Sequence, residues 1–456
     1  MKPISLLRFN ALGGYARQPE AILFAEEIRY FAHANERVLG MVIRDRNDND
    51  FGGMVFGRDR RLRFRWVSGT GFFNSQRRAE VELRREMERV DALPDDKYYQ
   101  GDEIGKPVDF FTPVVPINRL NPNFLKLRDE EVFSAAKGII VEMMRWYEDA
   151  DGNFIEQFQT TGFDARIWEL YLFAAFREMF YTTDKTYPAP DFLCKNLDDQ
   201  FYVEAVTVNP TRDKAGNIVP EPSFNSREDF DNYRLHYMPI KFGSPLTSKL
   251  AKRYWNLPHV AGTPLLLAVQ DFSSPQSMLR SRSAFETYMY GYAHDWERDG
   301  DGKLKIIPRK LASHKWGAKE IPSGFFDLPE AENVSAVVFS NSGTISKFNR
   351  MGKLAGFGSP RLRLERIGFA VDHDPNATEP EKFRHFVNAP DYTESWSEGL
   401  DVWHNPRAKI PLDVQALPTV AHHHLRPDGQ VKSVTPHWHP LSSFTFQTLI
   451  DPSMDA

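Results

Sequence analysis

The segment from residue 163 to residue 210 constrains the fold of this chain most, because it places three acidic side chains within largely apolar sequence. It begins with a long apolar helix pattern that carries Glu169. Asp191 follows in a Pro-Asp dipeptide, and Glu204 lies in a Val-Glu-Ala-Val run. A carboxylate in an apolar element is costly unless a partner compensates its charge. A divalent cation is a frequent partner of this kind.

Two strands and a turn account for the second half of this segment. Residues 192–195 and 200–207 predict a β-hairpin, because the Asn-Leu-Asp-Asp between them is rich in turn formers. Side chains alternate along a strand, so Glu204 and Val206 share one face. Asp191 then lies across from Glu204 or next to it, and such a carboxylate pair suits Mg²⁺, which takes oxygen ligands and keeps several waters. Alternatively, Asp191 caps a turn and Glu204 pairs with a surface lysine.

The order of these elements resembles the PD-(D/E)XK nuclease superfamily, in which two strand acids, a lysine and a helical glutamate surround one or two metal ions. Asp191 matches the Asp of the Pro-Asp pair, Glu204 the second strand acid and Glu169 the helical acid. The resemblance covers about residues 163–291. It implies a restriction-endonuclease-like core and catalysis with Mg²⁺ or Mn²⁺ held by these three acids.

The lysine position of the motif is Val206, which can neither donate a proton nor orient a hydroxide. Members of the superfamily sometimes move this lysine to a neighbouring element. Residues 248–255 predict a helix in which Lys249 and Lys252 share one face, so both are candidate catalytic residues. Lys195, on the first predicted strand, is a further candidate. Alternatively, the helical lysines form a solvated face, and without a lysine the fold would serve as a binding module.

A continuous apolar run at residues 263–272 predicts a strand that is covered on both faces. A helix that leads into such a strand forms a crossover unit of a mixed α/β sheet. Gln270 and Asp271 lie where this strand leaves the sheet, a common place for functional polar groups. Each is equally compatible with an end-of-strand turn.

The strongest basic run of the chain lies between residues 44 and 65. Residues 61–66 alternate arginines with apolar side chains, which predicts a strand with one arginine face and one apolar face. Residues 38–43 and 51–57 predict neighbouring strands. An arginine-faced sheet can bind phosphate backbones, and a solvated face balanced by nearby aspartates is the alternative. The residues expected to contact nucleic acid are Arg58, Arg61, Arg63 and Arg65.

Two helix patterns flank a segment at residues 93–123 that is rich in Pro, Asp and Asn. Residues 75–92 predict a charged surface helix with a thin apolar stripe. Residues 129–147 predict a helix that Asp129 or a neighbour caps, with an acidic first turn. The apolar stripe of the first helix is expected to contain Val81, Met87 and Val90.

The 456 residues of the chain suit two or three domains. We expect an N-terminal β-rich domain with arginine-rich strands at residues 1–120 and a nuclease-like core at residues 121–300. A β-rich region without an assigned role follows at residues 301–456. The expected fold class is α/β or α+β, with a central mixed β-sheet flanked by helices.

Two groups of histidines, at residues 422–424 and 437–439, lie on either side of a turn-forming segment at residues 426–429. They predict a hairpin in which alternate histidines share a side. Clustered imidazoles can bind Zn²⁺. Because no HExxH or carboxylate signature accompanies them, Zn²⁺ is not expected here, and hairpin polarity with Trp438 packed inward is favoured.

Composition sets outer limits on the function. A net charge of −5 argues against a generically basic nucleic-acid coat protein, although a local patch can still bind nucleic acid. The one cysteine, Cys194, excludes intramolecular disulfides and cysteine-cluster metal sites. No apolar stretch approaches a membrane span and the first residues lack a signal-peptide pattern, so a cytoplasmic protein is expected, with its oligomeric state open.

These observations together predict a Mg²⁺- or Mn²⁺-dependent hydrolase that cleaves the phosphodiester bonds of DNA or RNA. The alternative is a catalytically inactive nuclease-fold protein that binds nucleic acid or protein.

Overall fold

The computed structural model describes residues 1–149, 152–223 and 225–451. Helices are combined with mixed and antiparallel sheets, so the chain belongs to the α+β class, as predicted. None of the helices in these ranges has the length and apolar character that a membrane crossing requires.

The N-terminal region is an antiparallel five-stranded sheet with a helix on each face. Its strands, in their order across the sheet, are β1 (Lys2–Ile4), β2 (Ala25–His33), β3 (Val38–Asp45), β4 (Phe51–Arg58) and β5 (Phe64–Gly69), and its helices are α1 (Leu6–Leu12), α2 (Ala21–Phe24) and α3 (Gln76–Asp91). The predicted strands at residues 38–43 and 51–57 are confirmed as β3 and β4. Helix α3 was also predicted, but Val81 is 45% exposed and the buried stripe contains Leu83 instead.

The predicted strand over residues 61–66 is confirmed only from Phe64 onward. The buried carboxylate of Asp59 accepts hydrogen bonds from the backbone N–H groups of Arg61 and Arg63, both at 2.9 Å. These bonds close a turn in which Leu62 takes a left-handed conformation, with φ of 64°. The strand therefore begins at Phe64, and no continuous arginine face is formed over these residues.

The predicted helix at residues 129–147 is confirmed only over α5 (Ser134–Met144), and Asp129 is the last residue of a preceding helix, α4 (Pro122–Asp129). Asp129 ends the first helix and does not cap the second. Glu130 has extended backbone angles, and Lys126 supplies the carbonyl that its N–H group contacts at the helix end. The acidic residues thus lie between the helices, and the first turn of α5 contains none.

The core is an eight-stranded mixed sheet between two layers of helices. Its first half and the associated helices are α6 (Phe154–Gln159), α7 (Phe163–Glu178), β6 (Thr182–Asp184), β7 (Phe192–Lys195), β8 (Gln200–Val208), α8 (Arg227–Asn232), α9 (Met238–Leu250), β9 (Leu265–Asp271) and α10 (Arg282–Tyr290). The chain continues with β10 (Tyr292–Arg298), β11 (Leu304–Lys310), β12 (Ser313–Trp316), β13 (Lys319–Pro322), β14 (Ala336–Ser340), α11 (Ile345–Leu354), β15 (Leu362–Ala370), β16 (Glu381–Phe386), β17 (Leu400–His404), β18 (Ala421–Leu425), β19 (Val431–Val434) and β20 (Pro440–Leu449). The strand order is β19-β18-β17-β14-β9-β8-β7-β6.

The predicted hairpin and the predicted central strand are confirmed. Strands β7 and β8 pair antiparallel, and β9 runs parallel to β8 and to β14. Every residue of β9 is buried. Leu266 packs in the same apolar cluster as α7, whereas Leu267 packs with α9 and α10 on the other face. Cover on both faces explains why this strand is apolar throughout.

The chain from residue 301 onward contains many strands, and several of them belong to the same central sheet as the predicted core. Strands β14, β17, β18 and β19 all lie beyond residue 300 and complete the eight-stranded sheet. Strands β16, β15 and β20 form a separate three-stranded sheet. The two regions therefore pack as one layered structure around β9 and β14.

Helices α11 and α5 cross so closely that a glycine is required at the contact. A Cβ atom on Gly352 would lie 2.1 Å from the backbone oxygen of Ala135. We predict that Gly352→Ala lowers the free energy of unfolding by about 3 kcal/mol, because overpacking of a rigid backbone contact cannot be relieved by a rotamer change. Gly300→Ala is the matched control, since Gly300 has open space around it. Equal urea midpoints for the two variants would contradict this account of the helix crossing.

Candidate functional site

Asp191 and Glu204 face each other across the hairpin. Phe192 pairs with Val203, so the next position on each strand brings Asp191 opposite Glu204. The Ala205 N–H group donates a hydrogen bond to Asp191 Oδ2 at 2.7 Å. The register of two short strands therefore builds the carboxylate pair that the sequence predicts.

Glu204 is buried on a central strand and has two donors to the same oxygen. The Lys249 ammonium forms an ion pair with Glu204 Oε1. The Tyr254 hydroxyl donates to this oxygen at 2.7 Å. Lys249 lies in the last turn of α9, which packs on the face of β8 that carries Glu204 and Val206. A helix thus supplies the lysine that the strand lacks.

Glu169 is buried on α7 and has a separate set of partners. Arg166, one turn earlier on the helix, contacts Glu169 Oε1 at 2.6 Å. The Tyr147 hydroxyl donates to Oε2 at 2.7 Å, and the Lys185 ammonium lies 3.5 Å from the same oxygen. The ammonium also donates to the Tyr147 hydroxyl and lies 4.6 Å from the centre of the Phe192 ring.

Neighbouring charges and burial shift the pKa values of Asp191 and Glu169. Burial, and then the charge of Glu204, raises the pKa of Asp191 to about 6. Burial and the charge of Asp191 raise the pKa of Glu169. Burial lowers the pKa of the Lys185 ammonium, against the opposing effect of the two nearby acids. Asp191 therefore lies between Glu204 on one side and the Glu169 group on the other.

The lysine candidates occupy different places from those expected. The predicted helix over residues 248–255 is wrong, because α9 ends at Leu250 and Arg253 takes a left-handed conformation with φ of 52°. Lys249 reaches the acids, whereas Lys252 is exposed in the turn that follows the helix. Lys195 is exposed at the end of β7 away from Asp191.

The carboxylate oxygens of Asp191 and Glu204 suit one Mg²⁺ or Mn²⁺ ion better than a site that also includes Glu169. Among the described residues, no group of three or more His, Cys, Asp or Glu side chains is placed to hold one metal ion. Glu169 belongs to the helix layer on the opposite face of the sheet from α9. In the same ranges, no hydrogen bond is made to Asp191 Oδ1 or Glu204 Oε2, so both oxygens are available. Two carboxylate oxygens and several waters satisfy Mg²⁺.

The sequence patterns do not identify four residues of the site, which are Tyr147, Arg166, Lys185 and Tyr254. Arg166 had a local signal, because it lies three residues before Glu169 and shares its helix face. The other three are brought in by tertiary contacts over long sequence distances. No local pattern marks them.

The side chains of three of the four predicted nucleic-acid-binding arginines are engaged in ion pairs within the protein. Arg58 contacts both carboxylate oxygens of Glu142, at 2.9 and 3.0 Å. Arg63 pairs with Asp59 at 2.7 Å, and Arg65 pairs with Asp102 at 2.5 Å. The half-buried Arg61 is one of the turn residues held by Asp59. These contacts support the alternative of arginines balanced by neighbouring acids.

Gln270 and Asp271 are fully buried and lie apart from the acids. Gln270 Oε1 accepts a hydrogen bond from the Gly343 N–H group at 3.1 Å. Asp271 Oδ1 accepts one from the Ser273 N–H group at 2.8 Å. Both side chains therefore hold the loops that follow the central strands.

One histidine of each group, His423 and His439, contacts the buried carboxylate of Asp401. The expected hairpin is formed by β18 and β19, but its second strand ends at Val434, before the second histidine group. His423 Nε2 and His439 Nε2 lie 2.9 and 3.0 Å from Asp401 Oδ1, and Arg282 pairs with the same carboxylate. These partners give the buried histidines a structural explanation.

A cavity of about 560 Å³ lies elsewhere. It is bounded by the N-terminal sheet and by helices of the core, and it is lined mainly by apolar side chains such as Met41, Met54 and Met351. None of the acids or lysines predicted from the sequence lines it. A large cavity volume therefore does not coincide with the candidate site.

Comparisons of the chain with models of protein families, with curated proteins and with solved structures give no significant match. The function must therefore be inferred from the geometry of the carboxylates and their partners.

The raised pKa of Asp191 predicts a pH-dependent effect of Asp191→Asn on stability. Between about pH 4 and pH 6 this residue ionises in the unfolded chain before it does in the folded protein, so its contribution to stability falls as pH rises. A shift of two pKa units corresponds to about 2–3 kcal/mol. We predict that the free energy of unfolding of Asp191→Asn, relative to that of wild type, increases by about 2 kcal/mol from pH 4 to pH 7.5. Urea unfolding at the two pH values measures this difference.

Asp198→Asn is the matched control, because Asp198 is exposed in the hairpin turn. Its stability relative to wild type should stay constant over the same pH range. If the difference in free energy of unfolding between Asp191→Asn and wild type does not change with pH, burial and repulsion by Glu204 do not raise the pKa of Asp191.

Proposed function

We propose that this protein is a metal-dependent phosphodiesterase acting on nucleic acid, with a restriction-endonuclease-like core of PD-(D/E)XK type. The observation that carries the proposal is the contact of Lys249 with Glu204, directly beside Asp191. It restores an acid–acid–lysine group although the motif position itself is Val206. The sequence of elements supports the proposal: an acid-bearing helix, the hairpin, a lysine-bearing helix and a parallel strand.

Asp191 and Glu204 would hold Mg²⁺ or Mn²⁺ through their available oxygens. A bound cation of this kind lowers the pKa of a coordinated water and stabilises charge on the phosphate. Lys249 would then be released from Glu204, orient the attacking water and offset the developing negative charge. Tyr254 keeps Glu204 in place through its hydrogen bond.

Arg166 and Lys185 provide a second group of positive charge next to Asp191. Glu169 holds both cations, at 2.6 and 3.5 Å, so its role in this proposal is to position them rather than to bind the metal directly. Cations fixed beforehand stabilise a phosphoryl transition state without reorganisation. Localisation in the cytoplasm is part of the same proposal.

One observation favours the second candidate, a nuclease fold that binds nucleic acid or protein without catalysis. Glu204 and Glu169 already have cationic partners, so the structure is electrostatically compensated without a metal. If Lys249 does not leave Glu204, its positive charge opposes the binding of a cation at that carboxylate. Cleavage assays separate the two candidates.

We predict that Asp191→Ala and Glu204→Ala reduce metal-dependent cleavage below detection, because each removes one of the two carboxylates that would bind the cation. The measurement is cleavage of plasmid, linear duplex, single-stranded DNA and RNA with Mg²⁺ or Mn²⁺, with and without chelator. Asp198→Ala serves as the control and should retain full activity. Cleavage that persists in both variants, or that a chelator does not inhibit, would exclude this site as the catalytic centre.

The two helical lysine candidates give a matched pair of variants. Lys249→Ala should lower the cleavage rate by about 10²- to 10³-fold, because it removes a cation that contacts the site. Lys252→Ala should leave the rate within about twofold of wild type, since this side chain is exposed beyond the helix. The comparison is made under single-turnover conditions with saturating metal. Similar losses in both variants would show that Lys249 has no particular role.

A further inference from the structure

An aromatic pair lies at the wall of the pocket that contains Asp191. The rings of Tyr187 and His259 are stacked, with centroids 3.8 Å apart and planes inclined by 2°. His259 Nε2 lies 2.9 Å from the carbonyl oxygen of Ala189. Because a carbonyl only accepts, Nε2 donates this hydrogen bond and holds the imidazole in place. The edge of Tyr202 packs against the same imidazole, with centroids 5.8 Å apart.

Tyr187 is 48% exposed although one side of its ring is stacked on His259. It lines the same small pocket as Asp191, Glu169 and Lys185. A phenol ring that is already fixed from one side offers its other side to a planar ligand with little loss of conformational freedom. This Tyr187–His259 pair, the aromatic platform, thus directly borders the acid cluster.

The charges around the platform indicate which planar ligand it suits. Lys185 and Arg166 line the pocket together with the acids Glu169 and Asp191, and Lys249 adjoins Asp191. With a divalent cation bound at the acids, as in the proposed function, a phosphate is attracted close to the ring. Glu148 and Asp149, also in the pocket wall, disfavour a ring that itself carries negative charge. A neutral aromatic ring flanked by phosphates is a nucleobase. Bases within a duplex are already stacked on both faces, whereas unpaired bases are free to stack on an aromatic side chain.

We infer that the aromatic platform binds an unpaired base next to the phosphate at Asp191, and that the substrate class is single-stranded nucleic acid. The inference rests on the proposed function for the chemistry at Asp191, but the platform is tested by binding alone. Tyr187 is the specificity-determining residue, and His259 supports its ring.

The experiment measures the affinity of a short single-stranded oligonucleotide that contains 2-aminopurine, in Ca²⁺ so that turnover is suppressed. Stacking should quench the 2-aminopurine fluorescence on binding to wild type and to Tyr187→Phe. Tyr187→Ala should bind about tenfold more weakly and without quenching, because a base–aromatic stack is lost. Tyr99→Ala is the control, since Tyr99 is 42% exposed in the N-terminal region and should have no effect. Thermal unfolding of each variant confirms that it is folded.

Equal affinity and equal quenching in Tyr187→Ala and wild type would overturn the inference, as would tighter binding of the matching duplex than of the single strand. Failure of wild type to bind any single strand would overturn it too. Cleavage by wild type together with Tyr187-independent binding would leave the proposed function standing and refute the platform. Tyr187-dependent quenching in a protein that cleaves nothing would support the platform and refute the proposed catalysis.

Discussion

The ion pair between Lys249 and Glu204 organises the candidate site, because a buried carboxylate on a central strand needs a compensating charge. The strand cannot provide it, since Val206 packs in the apolar cluster beneath α9. The helix that covers this face can provide it from its last turn. The fold therefore separates the two tasks: β8 supplies an apolar surface for packing, and α9 supplies the cation.

Asp191 gives the site its electrostatic character. It faces Glu204 across the hairpin, and burial and the charge of Glu204 raise its pKa. Its own charge, after burial, raises the pKa of Glu169. Two groups of cations therefore approach one carboxylate from the two faces of the sheet, Lys249 from one helix layer and Lys185 from the other side. In the proposed function, Asp191 would attract a metal ion and the lysines a phosphate, which is the combination that phosphodiester hydrolysis requires.

Local patterns in the sequence were sufficient for the hairpin and for the central strand. Turn formers between two short apolar runs fix the pairing of β7 with β8, and burial on both faces fixes the composition of β9. From the hairpin register it also followed that Asp191 and Glu204 are neighbours. These features depend on residues close in sequence, where periodicity and turn chemistry carry the information.

Other features depended on contacts that no local pattern reveals. The turn before β5 is set by one buried carboxylate, Asp59, which overrides the alternation of the arginines with apolar residues. Helix α9 ends at Leu250 and Arg253 takes a left-handed conformation, so Lys249 and Lys252 do not share a helix face. Lys185 reaches the acids only through the tertiary fold. The sharing of one sheet by strands from both sides of residue 300 is likewise a consequence of non-local strand pairing.

The most direct test of the central claim is a crystal structure of the protein soaked in Mn²⁺, with anomalous difference maps collected at the manganese edge. The account predicts an anomalous peak between Asp191 Oδ1 and Glu204 Oε2, with the Lys249 ammonium displaced from Glu204 Oε1. A structure at saturating Mn²⁺ without a peak there, and with the Lys249–Glu204 ion pair intact, would contradict it.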